Sequence, residues 1–299
     1  MPRNHFYQIQ FQTILKLLFS WLTLKITGSS FLKIITYNAI PISIFEHFHA
    51  TGLVAHGIST RQGGVSTGKW SSLNLGFHRG DAEANVHENY RRFAAALDIP
   101  LADTVFSAQT HTVNLRRVYS SDRGKGLGPT DIRETDGIYT NEPSVALVTF
   151  YADCVPLLFL DPVKKVIAAS HSGWRGTAAE IGRVTVEALN REFGCDPKDI
   201  LAGIGPSIGP CCFEVDELVA AEFLKKPAWV PYVSGPYGAN KYKVDLWRIN
   251  KQILLDAGIP RGNIDCEPAC TCHNKELFYS HRRDGDIRGT MAAIICLKT

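Results

Sequence analysis

The sequence has no run of five or more basic residues. Its 32 Lys and Arg are scattered against 29 Asp and Glu, giving a formal net charge of +3. A nucleic-acid partner needs a concentrated basic face, so that class of function is disfavoured. Cysteine is also scarce for a disulfide scaffold: 8 in 299 residues, at irregular positions. They read as thiols of a reducing, cytoplasmic compartment, most of them buried and inert, with one or two as ligands. No apolar run is long enough to span a bilayer. The best, "ILKLLFSWLTLKI" (Ile14 to Ile26), is interrupted by Lys16 and Lys25 and is not followed by an A-x-A cleavage site. No stable membrane insertion is expected.

That N-terminal stretch has three readings. Ile14, Leu17, Leu18, Trp21, Leu22 and Ile26 lie at helical spacing, as in a membrane-surface helix. It also resembles a degraded signal. The preferred reading is an extension, residues 1–34, outside a working domain of residues 35–299, because domain patterning begins only near Ile34. A mistaken start codon would produce such an extension, and protein N-terminal sequencing tests it.

What is present is ordinary globular composition, 45% hydrophobic and 20% charged. Short apolar runs predict buried strands at Val145–Phe150, Val155–Leu160, Lys165–Ser170, Ile200–Gly205 and Met291–Leu297. Helical spacing predicts helices over Asp81–Ile99, with Asp81 as N-cap, and over Thr177–Gly194, with Gly194 as C-cap. Two more are predicted over Val215–Lys226 and Leu246–Gly258. The pattern is that of a single α/β domain with a mixed sheet.

Chemistry-bearing residues gather at the ends of these runs. Cys154 lies between two predicted strands, after Asp153. Asp153 beside it is expected to raise the thiol pKa, which argues against a bare nucleophile and for a metal ligand; the bland alternative is a packed structural thiol. His171 stands at a strand-to-helix turn, where free N–H groups and Arg175 would suit an anion; otherwise Trp174 and Arg175 merely cap and pack the helix. His111 follows Gln109 and Thr110. Two imidazoles and a thiolate make a good zinc set with a fourth position open. Their separations of 43 and 17 residues match no local zinc motif.

Four other stretches compete. Cys266, Cys270, Cys272 and His273 crowd together, but lack the C-x₂-C turn of structural zinc sites and any evident distant pair. They read as mainly structural. Cys211-Cys212, in a rigid Gly-Pro loop, read as packing. Arg282-Arg283 offers a phosphate or carboxylate clamp, or else a solvated turn. Arg61, before Gly63-Gly64, could grip an anion in a Gly-rich loop that is not a Walker loop.

Taken in order, "HGISTRQGGVS", "NLGFHRGD", "QTH", "TDGIYT", "ADCVPLL", "ASHSGWRGT", "GIGPSIGPCCFEV" and "FYSHRRDG" resemble the laccase-domain family. That family is labelled polyphenol oxidase or multicopper oxidase and is associated with purine nucleoside phosphorylase activity. The resemblance covers about residues 50 to 299. It implies an α/β/β/α sandwich similar to Cys-His toxin deamidases. It implies that His111, Cys154 and His171 bind one zinc or copper ion. It also implies phosphorolysis of adenosine, inosine and S-methyl-5′-thioadenosine, with deamination of adenosine to inosine. Purine nucleosides and phosphate are then the partners. Arg61, Arg175, Arg282 and Arg283 become candidate phosphate grips; Asp136 and Asp153 become candidate acids for the departing base, or groups that orient a ligand. Competing implications are a copper-dependent phenol oxidase, a peptidoglycan-precursor editing factor, and a binding module without catalysis. A four-copper oxidase needs several His-x-His pairs and a His-Cys-His motif; this chain has one His-x-His, at His47 and His49, and no His-Cys-His. Two departures from the family pattern stand near the C-terminus: Thr290 where Arg is usual and His281 where Tyr is usual.

Overall fold

The apolar runs become the central strands of two sheets. The computed structural model describes residues 21–25, 31–128, 130–266 and 268–299. One sheet has the order β1 (Trp21–Lys25), β2 (Phe31–Tyr37), β3 (Ile40–Ser43), β4 (Val54–Ser59), β16 (Met291–Leu297), β8 (Ala146–Tyr151), β5 (Thr104–Phe106). The other has the order β15 (Ile264–Cys266), β11 (Leu201–Ile204), β9 (Val155–Asp161), β10 (Val166–Ser172), β7 (Gly137–Thr140), β6 (Leu115–Arg117). Both are mixed: the pairs β5–β8, β6–β7 and β11–β15 are parallel and the remaining pairs antiparallel. A third, small sheet, β12 (Glu214–Val215), β14 (Lys241–Val244), β13 (Val233–Tyr237), was not expected.

Strand alternation sets the layers. Along β9, Leu158 and Leu160 turn inward to Ile58, Leu147 and Ile167, with Phe45 and Phe48 filling the space between the sheets. Leu157 and Phe159 turn outward, against Val186 and Leu189 of helix α4 (Ile181–Phe193) and Ile249 and Ile253 of α6 (Leu246–Asp256). On the far side, Ile42, Val148 and Ile294 meet Val86, Tyr90 and Phe93 of α2 (Glu83–Ala96). The order helix, sheet, sheet, helix is the α/β/β/α sandwich implied by the resemblance.

The remaining helices are α1 (Glu46–Thr51), α3 (Trp174–Ala178), α5 (Glu217–Leu224) and α7 (His281–Asp284). Three expectations are corrected. The helix expected over Thr177–Gly194 is two helices, because Glu180 between α3 and α4 adopts φ +58 and breaks the backbone ladder; Gly194 caps α4 in the left-handed region as expected. Asp81 does not cap α2. Ala82 occupies that position, and the Asp81 carboxylate instead accepts from Ser66 Oγ (2.6 Å), Asn74 Nδ2 (2.9 Å) and Asn85 Nδ2 (3.1 Å). Trp21–Lys25 forms a strand paired antiparallel with β2 rather than helix; the rest of the Ile14–Ile26 stretch lies outside the described residues. No helix among the described residues is long and apolar enough to cross a membrane.

Candidate active site

The antiparallel register of β9 and β10 pairs His171 with Pro156, two residues after Cys154. A thiol just before one strand and an imidazole at the end of the next are therefore brought to one sheet edge. His111 arrives on the segment after β5, which Gln109 pins to β8: its amide oxygen accepts from Phe150 N (2.6 Å) and its amide nitrogen donates to the Phe150 carbonyl (2.8 Å). The donor atoms of His111, Cys154 and His171 all lie within 4.8 Å of one another. Gly173 closes the corner, since a Cβ there would sit 3.0 Å from the His111 ring and 3.1 Å from Cys154 Sγ.

Asp136 organises this trio from behind. It is fully buried, and it accepts from the backbone N–H groups of Thr110, His111 and Thr112 and from the Thr112 hydroxyl. Its Oδ1 lies 2.8 Å from His171 Nδ1, which leaves Nε2 as the free nitrogen of that ring. Burial pushes the Asp136 carboxyl up, but these hydrogen bonds outweigh it and hold it well below the usual carboxylate range. These contacts place Asp136 as a group that orients His171 and the His111 segment. Burial likewise pushes the Cys154 thiol up, yet the facing His171 and then His111 draw it down to about 6. His171 is the mirror case: burial lowers it, and Cys154 and Asp136 together raise it to about 9. The expectation that Asp153 raises the Cys154 pKa is corrected. With φ +87, Asp153 turns its carboxylate to the Thr271 hydroxyl (2.6 Å), the Ser280 hydroxyl (3.1 Å) and Arg282 N (2.6 Å).

The trio opens on a cavity of about 980 Å³ that Phe106 and Phe150 also line. The four arginines proposed from sequence are not among its lining residues. Arg61 donates to the carbonyls of Ser71 and Lys275 and stacks on Tyr279. Arg175 is exposed and lies over the Trp174 ring. Arg282 donates to the Cys212 carbonyl, and Arg283 to those of Thr271, Cys272 and Phe278. All but Arg175 brace loops.

The residue missed is Arg288, which stands beside Thr290, marked in the sequence as a departure from the family pattern. Both line the cavity and both are 7% exposed. Arg288 Nε and Nη1 and Thr290 Oγ1 have no hydrogen-bond partner among the described residues. Burial, followed by the charge of Arg79, pushes the Arg288 guanidinium below its ordinary value. Buried donors without partners are costly and call for an acceptor. The one signal in the sequence was the departure at Thr290: an arginine absent there stands two residues earlier, and the fold turns it inward.

A family model described as "Multi-copper polyphenol oxidoreductase laccase" matches residues 55–298. The chain belongs to that family. Among curated proteins, this laccase-family chain is 40% identical to "Purine nucleoside phosphorylase YlmD" of Bacillus subtilis, over 82% of this chain and 89% of that one. It is 36% identical to "Purine nucleoside phosphorylase YfiH" of Escherichia coli, over 80% and 92%. Among solved structures, YlmD from Geobacillus stearothermophilus superposes with a TM-score of 0.82 at 33% identity, covering 94% of this chain and all of that one (100%). A Bacillus licheniformis hypothetical protein YfiH gives 0.81 at 36% identity, covering 87% and 97%.

Proposed function

We propose that this chain is a zinc-dependent purine nucleoside phosphorylase of a reducing, cytoplasmic compartment. It acts on adenosine, inosine and S-methyl-5′-thioadenosine, with adenosine deamination as a second activity. The observation that carries the reading is one cavity holding two complementary features: the His111, Cys154 and His171 donor atoms within 4.8 Å, and the unpartnered Arg288 and Thr290 donors. Phosphorolysis needs both a nucleoside pocket and an anion grip.

The donor set fits a metal. Two imidazoles and a thiolate, one ring fixed by a carboxylate, are a three-ligand set of the kind that keeps a position open for substrate or water. When bound, zinc supplies Lewis acidity and water activation near neutral pH. The chain's own residues do the rest. Asp136 fixes the His171 tautomer and the His111 backbone. Phe106 and Phe150 offer apolar walls for a purine ring. Arg288 and Thr290 receive phosphate, whose charge offsets the desolvation of the buried guanidinium. Arg79, which lines the same cavity, adds a second positive charge. The relatives' names support nucleoside and phosphate as substrates.

The test is metal-stripped, zinc-reloaded protein incubated with adenosine, with and without phosphate, and read by chromatography. Adenine release that requires phosphate is the expected result. Inosine alone would leave only the deaminase half. Phenol oxidation that appears only on copper loading, with no nucleoside turnover, would replace the reading with an oxidase.

A further inference from the structure

The fold supplies the distant pair that the C-terminal cysteine cluster lacks in sequence. The segment after β11 runs beside the Cys270 segment: Ser207 N donates to the Ala269 carbonyl (3.2 Å) and Thr271 N to the Ser207 carbonyl (3.0 Å). This pairing carries Cys211 and Cys212 to Cys270 and His273. The three sulfurs and an imidazole nitrogen of these four residues lie within 4.8 Å of one another. None of the four lines the 980 Å³ cavity. We propose that they form a second metal site, which takes a structural zinc ion.

The donor geometry supports this. A tetrahedral zinc with Zn–S of about 2.3 Å and Zn–N of about 2.0–2.1 Å separates sulfur from nitrogen by about 3.6 Å. Cys211 Sγ and His273 Nδ1 stand 3.4 Å apart. The Gly209 N–H points at Cys270 Sγ from 3.3 Å, a donor suited to a thiolate. The donors are soft, as zinc sites prefer, and they are four from the protein, the closed set of a structural centre rather than the open set of a catalytic one. Cys211 and His273 are exposed, so an ion reaches the site from solvent.

The site has a structural consequence. Thr271, between Cys270 and His273, donates to Asp153, the neighbour of Cys154, and Arg282 joins the Cys212 carbonyl to the same carboxylate through its side chain and its backbone N–H. A zinc here staples the two loops that hold Asp153.

The experiment is metal counting on the full chain, isolated and reloaded with zinc under reducing conditions. About two zinc ions per chain are expected, falling to about one in Cys211→Ser and in His273→Gln, both exposed positions. Cys154→Ser also falls to about one, by emptying the other site. Cobalt loaded into Cys154→Ser provides a check that does not depend on Cys211 or His273 variants folding: strong near-ultraviolet thiolate charge transfer and tetrahedral d–d bands are expected. A stoichiometry unchanged by Cys211→Ser overturns the site, as does a cobalt spectrum of Cys154→Ser without thiolate bands, or a peptide map joining Cys211 or Cys212 to Cys270 by a disulfide. Failure of the phosphorylase reading would leave the loss of an ion on Cys211→Ser and the cobalt thiolate bands of Cys154→Ser untouched.

Discussion

A single residue decides what each side of the cavity can do. Cys154→Ser removes the only sulfur from the His111–Cys154–His171 trio, and bound zinc at that site and phosphorolysis are expected to disappear together; metal analysis beside the chromatographic assay checks it. Asp136→Asn keeps the shape but weakens the acceptor for His171, and an affinity loss of about 10–100-fold for the ion is expected by competition with a chelating dye. Arg288→Met separates the two halves of the site. It keeps the side chain's length and bulk and removes the charge, so the KM for phosphate should rise by about 10–100-fold, the loss of one or two charge-assisted hydrogen bonds, while zinc content stays whole. A variant that loses zinc instead would place Arg288 in the scaffold. These residues also mark how far sequence reasoning reached. His111, Cys154 and His171 were legible through the motifs around them, although 43- and 17-residue separations carry no geometry. Arg288 was not, because one arginine in a charged loop reads as solvated until the fold turns it inward.

Elements were legible where burial was complete. The runs that became β8, β9, β10 and β16 are apolar nearly throughout, since both faces of each strand are covered. Strands of three residues such as β5, β6 and β15 are too short for any period to register. β13 is largely exposed and contains Gly235-Pro236, a signature that reads as a turn. The tight packing between the sheets yields its own test. Gly203 on β11 faces Phe45 so closely that an added Cβ would come within 2.3 Å of the ring. Gly203→Ala should therefore destabilise the fold by about 1–3 kcal/mol in denaturant unfolding. Phe45→Leu in the same chain should recover part of that loss, so the double-mutant cycle is non-additive. Simple additivity would mean that the ring moves aside freely.

At the scale of the whole molecule, the space between the sheets contains an imidazole that must stay neutral. His56 is 4% exposed, lies against Phe45 and Phe48, and accepts the Phe45 backbone N–H at 3.0 Å through Nε2. Desolvation, with some repulsion from His49, pulls its pKa down to about 3. In the unfolded chain a histidine titrates near 6.5. The unfolded state therefore binds a proton that the folded state refuses across that interval. The resulting stability is present above about pH 6.5 and is lost progressively as pH falls toward 3, up to about 5 kcal/mol if the whole shift is expressed. Acid should thus open the sandwich at its centre. His56→Asn, with an acceptor oxygen and no proton to gain, should lower the melting temperature near pH 7.5, because it packs less well between the two rings. It should also shrink the drop in melting temperature between about pH 7.5 and about pH 5 relative to the parent. A variant whose drop equals the parent's would mean that His56 does not carry the acid sensitivity in this interval; Asp136, held ionised well below it, gives up its contribution only at lower pH.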